Sequence, residues 1–112
     1  MPQKFDLEKY LDFIRAENAH IAARDNYGTR GESVLYWVAK LGEEGGEFIN
    51  EILINLQFCR KEKMRDNRKE LAAEFADCVN VLFLLADKLN IDAGAALMER
   101  AAAITERNGE SL

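Results

Sequence analysis

Apolar side chains recur along this chain at steps of three and four residues and nowhere alternate one by one, so helices are open to it and half-buried strands are not. No two-residue hairpin signal interrupts the pattern. The 112 residues suffice for one hydrophobic core, and residues 1–112 read as a single helical domain. Phe5, Leu7, Tyr10, Leu11, Phe13 and Ile14, followed by Ala16, Ala19, Ala22 and Ala23, predict an amphipathic helix over about residues 5 to 23. The polar, glycine-containing stretch 24–31 is the first loop. A second helix is expected from Glu32 to Phe58, with Val34, Val38, Leu41, Phe48, Ile49, Ile52 and Leu56 as its core stripe.

A connection with six basic and two acidic residues, Arg60 to Lys69, comes next and reads as a solvated hinge in preference to a phosphate-contacting loop. The third helix, about Asn67 to Asn90, is apolar around most of its middle and belongs at the centre of the fold. Asp92 is a candidate N-cap for a fourth helix through Ala93, Ala96, Leu97, Ala101 and Ile104, ending near Asn108-Gly109. Four helices with short connections imply an all-α, antiparallel four-helix bundle. The third helix carries more apolar surface than one small chain can cover, so dimerisation or tetramerisation is expected to complete the bundle.

Twenty acidic against fifteen basic side chains give a net charge of −5, the wrong sign for a general binder of nucleic-acid backbones. The longest apolar run, Val81 to Ala86, is far short of the roughly 20 residues of a membrane span. Charges stand near the N-terminus where a signal peptide needs an apolar stretch, so a cytoplasmic location is expected. Cys59 and Cys78 have no metal-finger spacing and read as small core hydrophobes.

The acids carry the chemistry. On the second helix Lys40, Glu44, Glu47 and Glu51 form one row, which Trp37 joins and which borders the core stripe through Leu41 and Phe48; Glu43 points away from it. On the third helix Glu70, Glu74 and Asp77 run straight into Val81 and Leu85, a row that ought to be buried. A charged carboxylate there costs several kcal/mol unless it is paired or metal-bound. Glu44, Glu47, Glu74 and Asp77 thus form two pairs, each one turn apart, facing across a bundle with a combined charge of −4. An all-oxygen set selects a hard ion, Mg²⁺ first, then Mn²⁺ or Ca²⁺. The simpler alternative is that Glu47 pairs with Lys40 or an arginine and the remaining acids form a solvated face. A carboxylate-bridged di-iron site would use Glu17 and His20 as one of two E-x-x-H pairs, but His20 is the only histidine, so one chain cannot build it.

The string Lys40-Leu41-Gly42-Glu43-Glu44-Gly45-Gly46-Glu47, followed by Glu74-Phe75-Ala76-Asp77, resembles the E-x-x-E and E-x-x-D signature of the MazG-like all-α nucleoside triphosphate pyrophosphohydrolases. Leu89-Asn90-Ile91-Asp92 is similar to that family's entry into its last helix, and the resemblance covers about residues 32 to 107. It departs at Ile104, where several members have an asparagine. The resemblance implies Mg²⁺-dependent cleavage of a (deoxy)nucleoside triphosphate to a monophosphate and pyrophosphate, as in clearing deoxy- or noncanonical nucleotides. It implies Glu44, Glu47, Glu74 and Asp77 as metal ligands, with Mn²⁺ as a substitute ion. Glu43 or Glu47 would then be the base that takes a proton from the attacking water.

Lys40, Arg100 and Arg107 are the candidate phosphate contacts, each equally readable as a solvated charge. Trp37 is a candidate stacking platform for a base, or else a core or interface residue; Asn80 is a candidate sugar contact, or else a bond to a neighbouring helix. A homodimer or homotetramer, with sites drawn from more than one chain, is implied as well. Two alternatives stand beside this reading: phosphoribosyl-ATP pyrophosphohydrolase, which has similar acidic motifs, and a non-catalytic helical module that binds a partner or a cation.

Overall fold

A computed structural model describes residues 3–25 and 30–112 and is all-helical, with no strand among the described residues. Four helices follow in order: α1 (Leu7–Asp25), α2 (Arg30–Asn55), α3 (Arg68–Lys88) and α4 (Ala93–Arg107), with one 3-10 turn, Lys61–Lys63, between α2 and α3. The expected first loop is shorter than its polar composition suggests, because α1 runs on to Asp25 and α2 already begins at Arg30; residues 26–29 lie outside the described residues. No described helix is long and apolar enough to cross a membrane.

Local signals explain the helix ends. Asp6 caps α1, its Oδ1 accepting from the Lys9 N–H at 3.2 Å, and Asp92 caps α4 in the same way from Ala95 at 3.0 Å. The expected end of α4 is met by Asn108 as cap and Gly109 at φ +78°. The second helix stops three residues earlier than expected. Gln57 takes φ +64°, its N–H donates to the Ile54 carbonyl and the Phe58 N–H reaches back to Leu53, a left-handed closure that glycine normally signals.

As its apolar girth suggests, α3 is central, packing against α2, α1 and, lightly, α4. Helices α2 and α3 run antiparallel, since Phe48 meets Phe75 edge-to-face at 6.0 Å while Ile52 and Leu71, one turn along on each, line the same groove. Ile14 and Ile21 from α1, Trp37 from α2 and Val81, Leu84 and Leu85 from α3 make the core. Part of the expected α2 core stripe is not there: Val38, Ile49 and Leu56 are exposed, because α2 presents Trp37, with Leu41 and Val34 beside it, to its neighbours.

One buried polar side chain ties three helices together. Asn18 donates to the Leu84 carbonyl at 3.1 Å and to Asp87 Oδ2 at 2.8 Å, while its Oδ1 accepts from the Trp37 indole N–H at 2.8 Å. Asn18→Ala would leave that N–H without a partner, remove the bonds to the Leu84 carbonyl and Asp87 and open a small void. A loss of about 2–3 kcal/mol is expected, read as a lowered urea midpoint with an unchanged slope.

Candidate metal centre

Glu44 and Glu47 lie in the middle of α2, and Glu74 and Asp77 in the first half of α3. The antiparallel register brings the two pairs together. One carboxylate oxygen each from Glu44, Glu74 and Asp77 lie within 4.8 Å of one another. Glu44 is only 14% exposed and Glu74 is half-buried, whereas Asp77 and Glu47 open toward solvent at the rim. Val81 and Leu85, which continue the α3 acid row, are buried as the row predicts.

The charges are poorly compensated. Glu44 Oε2 and Glu74 Oε2 are both buried with no hydrogen-bond partner. Burial first, then the charges of Glu47 and Asp77, hold the Glu44 carboxyl above the ordinary carboxylate range. The same order of causes, burial and then Glu47, pushes Glu74 up to about 6. Lys40 is the cation nearest Glu44, with Nζ 4.0 Å from its Oε1, yet it bonds more closely to the exposed Glu43 at 3.3 Å. The pairing of Lys40 with Glu47 that would have made the acids an ordinary surface row is not found.

The next turn of α2 supplies an internal comparison. Glu51 shares the row of Glu44 and Glu47 and is buried, but each of its carboxylate oxygens has a partner. Arg65 Nη2 lies 2.6 and 3.0 Å from the two oxygens, and Asn67, itself buried, donates to Oε2 at 2.7 Å and to the Glu51 carbonyl at 2.8 Å. Two residues of the basic connection thus satisfy this acid, and the segment is pinned to α2 rather than being a free hinge. Sequence reading missed this role of Arg65 and Asn67, whose local pattern carries no sign of it. It also missed Cys78, although its place four residues after Glu74 puts the two on one face. Burial, then the charges of Glu44, Glu74, Asp77 and Glu47, raise the Cys78 thiol above its ordinary value.

Apart from Lys40, which lies 4.0 Å from Glu44, the expected substrate contacts do not gather around the carboxylates in the single chain. Trp37 is 5% exposed and hydrogen-bonded to Asn18, which makes it a core residue, one of the alternatives its position allowed, and removes it as a stacking platform. Asn80 accepts from the Tyr10 hydroxyl at 2.6 Å, so it bonds a neighbouring helix. Arg100 and Arg107 are exposed on α4 and form no ion pair with the four acids.

The donor set is all oxygen and carries two orphaned buried acceptors, an arrangement that fits a hard divalent cation. Comparison with protein-family models, with curated proteins and with solved structures finds no match.

Proposed function

We propose that the chain is a cytoplasmic, Mg²⁺-dependent nucleoside triphosphate pyrophosphohydrolase that works as a homo-oligomer and yields a nucleoside monophosphate and pyrophosphate. The observation that carries this reading is the pair of buried carboxylate oxygens, Glu44 Oε2 and Glu74 Oε2, facing one cluster from two helices without a partner. A structural acid in this chain is treated differently, as Glu51 with its arginine and asparagine illustrates. The MazG-like resemblance of the two acidic motifs supplies the reaction.

Glu44, Glu74 and Asp77, with Glu47 at the rim, would hold Mg²⁺, or Mn²⁺ in its place. Bound there, such an ion would supply Lewis acidity toward a phosphate group and a lowered pKa for a nearby water. The chain's own residues divide the remaining work. Glu47 is exposed and adjoins both Glu44 and Glu74, so it is the better placed of the two candidate bases to accept the proton of the attacking water. Glu43 is engaged by Lys40 on the outer side of the helix. That ion pair leaves Lys40 beside Glu44, positioned to meet a phosphate arriving at the rim. Arg100 and Arg107, exposed on α4, would grip phosphate from a second chain, since within one chain they do not reach the acids.

The test is pyrophosphate release from a panel of canonical and modified ribo- and deoxynucleoside triphosphates and phosphoribosyl-ATP, with Mg²⁺ and with chelator. Metal-dependent release from one or more nucleoside triphosphates is expected. Release from phosphoribosyl-ATP alone would replace the substrate, and no release from any compound would leave the non-catalytic module.

A further inference from the structure

The acids that face one another sit on helices joined by a long connection. Residues 56–67 link α2 to α3, more than the roughly two to eight residues usual between packed helices, so the covalent link leaves α3 free to slide along α2. Apolar contact between the two helices does not stop such a slide. The edge-to-face pair of Phe48 and Phe75 lies at the surface, with Phe75 55% exposed, and attraction between apolar groups is non-directional. A slip of one residue moves a helix by about 1.5 Å, several times the roughly 0.2 Å within which ligand distances in a metal site are held.

One polar contact fixes the register. Asn67 stands at the N-cap position of α3 and is 1% exposed, yet its side chain does not cap its own helix. The amide nitrogen donates across to α2 instead, to the Glu51 carbonyl at 2.8 Å and to Glu51 Oε2 at 2.7 Å. Asparagine is among the best capping residues, so a local bond is given up here for a tertiary one. Arg65 Nη2 holds the same carboxylate at 2.6 and 3.0 Å, which keeps the buried Glu51 in place as the acceptor. A bond to a main-chain carbonyl reads the axial position of the backbone itself, to within a few tenths of an ångström.

The counts along the two helices then match. Glu44 lies seven residues before Glu51, and Glu74 lies seven residues after Asn67. In an antiparallel pair, equal steps away from a shared anchor end at the same level, about 10.5 Å along each axis. The anchor thus sets Glu44 opposite Glu74, the two acids with orphaned buried oxygens, and brings Asp77 in with them.

We propose that Asn67, through its grip on Glu51, is the positioning residue of the cation site: it fixes where α3 stands along α2 and so sets how tightly Glu44, Glu74 and Asp77 hold a divalent ion. The proposal rests on the cation-site part of the proposed function and is independent of the reaction carried out there.

The test is the dissociation constant for Mn²⁺, followed by electron paramagnetic resonance at about 10 °C, where small domains are near their greatest stability, with helicity followed by circular dichroism. Asn67→Ala removes both bonds without changing the charge. A rise of about tenfold in the dissociation constant with helicity retained is expected, the lower end of what loss of a ligand-orienting partner costs. Asn67→Ser guards against failed folding, since serine can cap α3 but is too short to reach both Glu51 acceptors; a similar rise is expected. Asp92→Ala separates position from stability. It breaks the α4 cap bond to Ala95 and lowers the melting temperature, yet should leave the dissociation constant unchanged. Wild-type affinity in both folded Asn67 variants overturns the proposal and leaves the cation site standing. An equal rise in Asp92→Ala overturns it too, because affinity would then follow global stability. No saturable Mn²⁺ binding by the wild-type chain overturns both the proposal and the site on which it rests.

Discussion

Glu44→Gln is expected to abolish pyrophosphate release while leaving the helical spectrum intact and raising the melting temperature of the metal-free protein. The amide keeps the shape of the carboxylate but removes a charge from a site where Glu47 and Asp77 already oppose it. Stability therefore rises where function is lost, a combination that a merely structural glutamate would not give. Loss of a ligand withdraws several kcal/mol of charge stabilisation from the transition state, a fall in rate of roughly 10²- to 10³-fold or more. Asp77→Asn should behave alike. Glu51→Gln provides the contrast, because it weakens the satisfied contacts to Arg65 and Asn67 and should lower the melting temperature. Full turnover in both Glu44→Gln and Asp77→Asn would remove the carboxylates from the chemistry.

The second large effect concerns the metal-free protein and pH. Glu74 is held at about 6 in the folded chain, above its ordinary 4.5, so the folded state binds its proton more tightly than the unfolded state does. Its relative contribution to stability is fully present below about pH 4.5 and is lost as pH rises through about 6. Glu44 shifts in the same direction, for the same first cause, burial. Without divalent ions, the melting temperature should therefore rise as the buffer is taken from pH 7.5 to 5.5. Mg²⁺ at about one hundred times its Kd would contribute about 2.7 kcal/mol by linkage, roughly 10 °C for a domain of this size. That gain should shrink at pH 5.5, where protons compete for the same oxygens. A metal-free protein that melts higher at pH 7.5, or one unaffected by Mg²⁺, would speak against a cluster of this kind.

The helices were legible because period and capping are local. Asp92 and Gly109 mark α4 within a residue, and the apolar girth of α3 gave its central place. Gln57 hid the end of α2, since a left-handed closure at a residue other than glycine or asparagine leaves no local signal. The α2 stripe departs from its periodicity for a different reason. This helix has apolar residues on two faces, periodicity alone does not say which face meets the core of its own chain, and Val38, Ile49 and Leu56 lie on the exposed one.

The acid cluster was legible because Glu74 and Asp77 share a row with Val81 and Leu85, a conflict between charge and burial that shows in one helix. The partners of individual side chains were not. The Asn18 bond that takes Trp37 into the core spans 19 residues, the Tyr10 bond that occupies Asn80 spans 70, and the Arg65 bond that neutralises Glu51 spans 14. Contacts at such separations are set by how helices pack, which spacing along one helix does not encode.

Binding of Mn²⁺ followed by electron paramagnetic resonance tests, without reference to any substrate, whether carboxylates from α2 and α3 form one divalent-cation site. Saturable binding to the wild-type chain, displacement by Mg²⁺, and loss of the bound signal in Glu74→Gln with the helical fold retained are expected. Absence of saturable binding, or equal binding by folded Glu74→Gln, would contradict such a site.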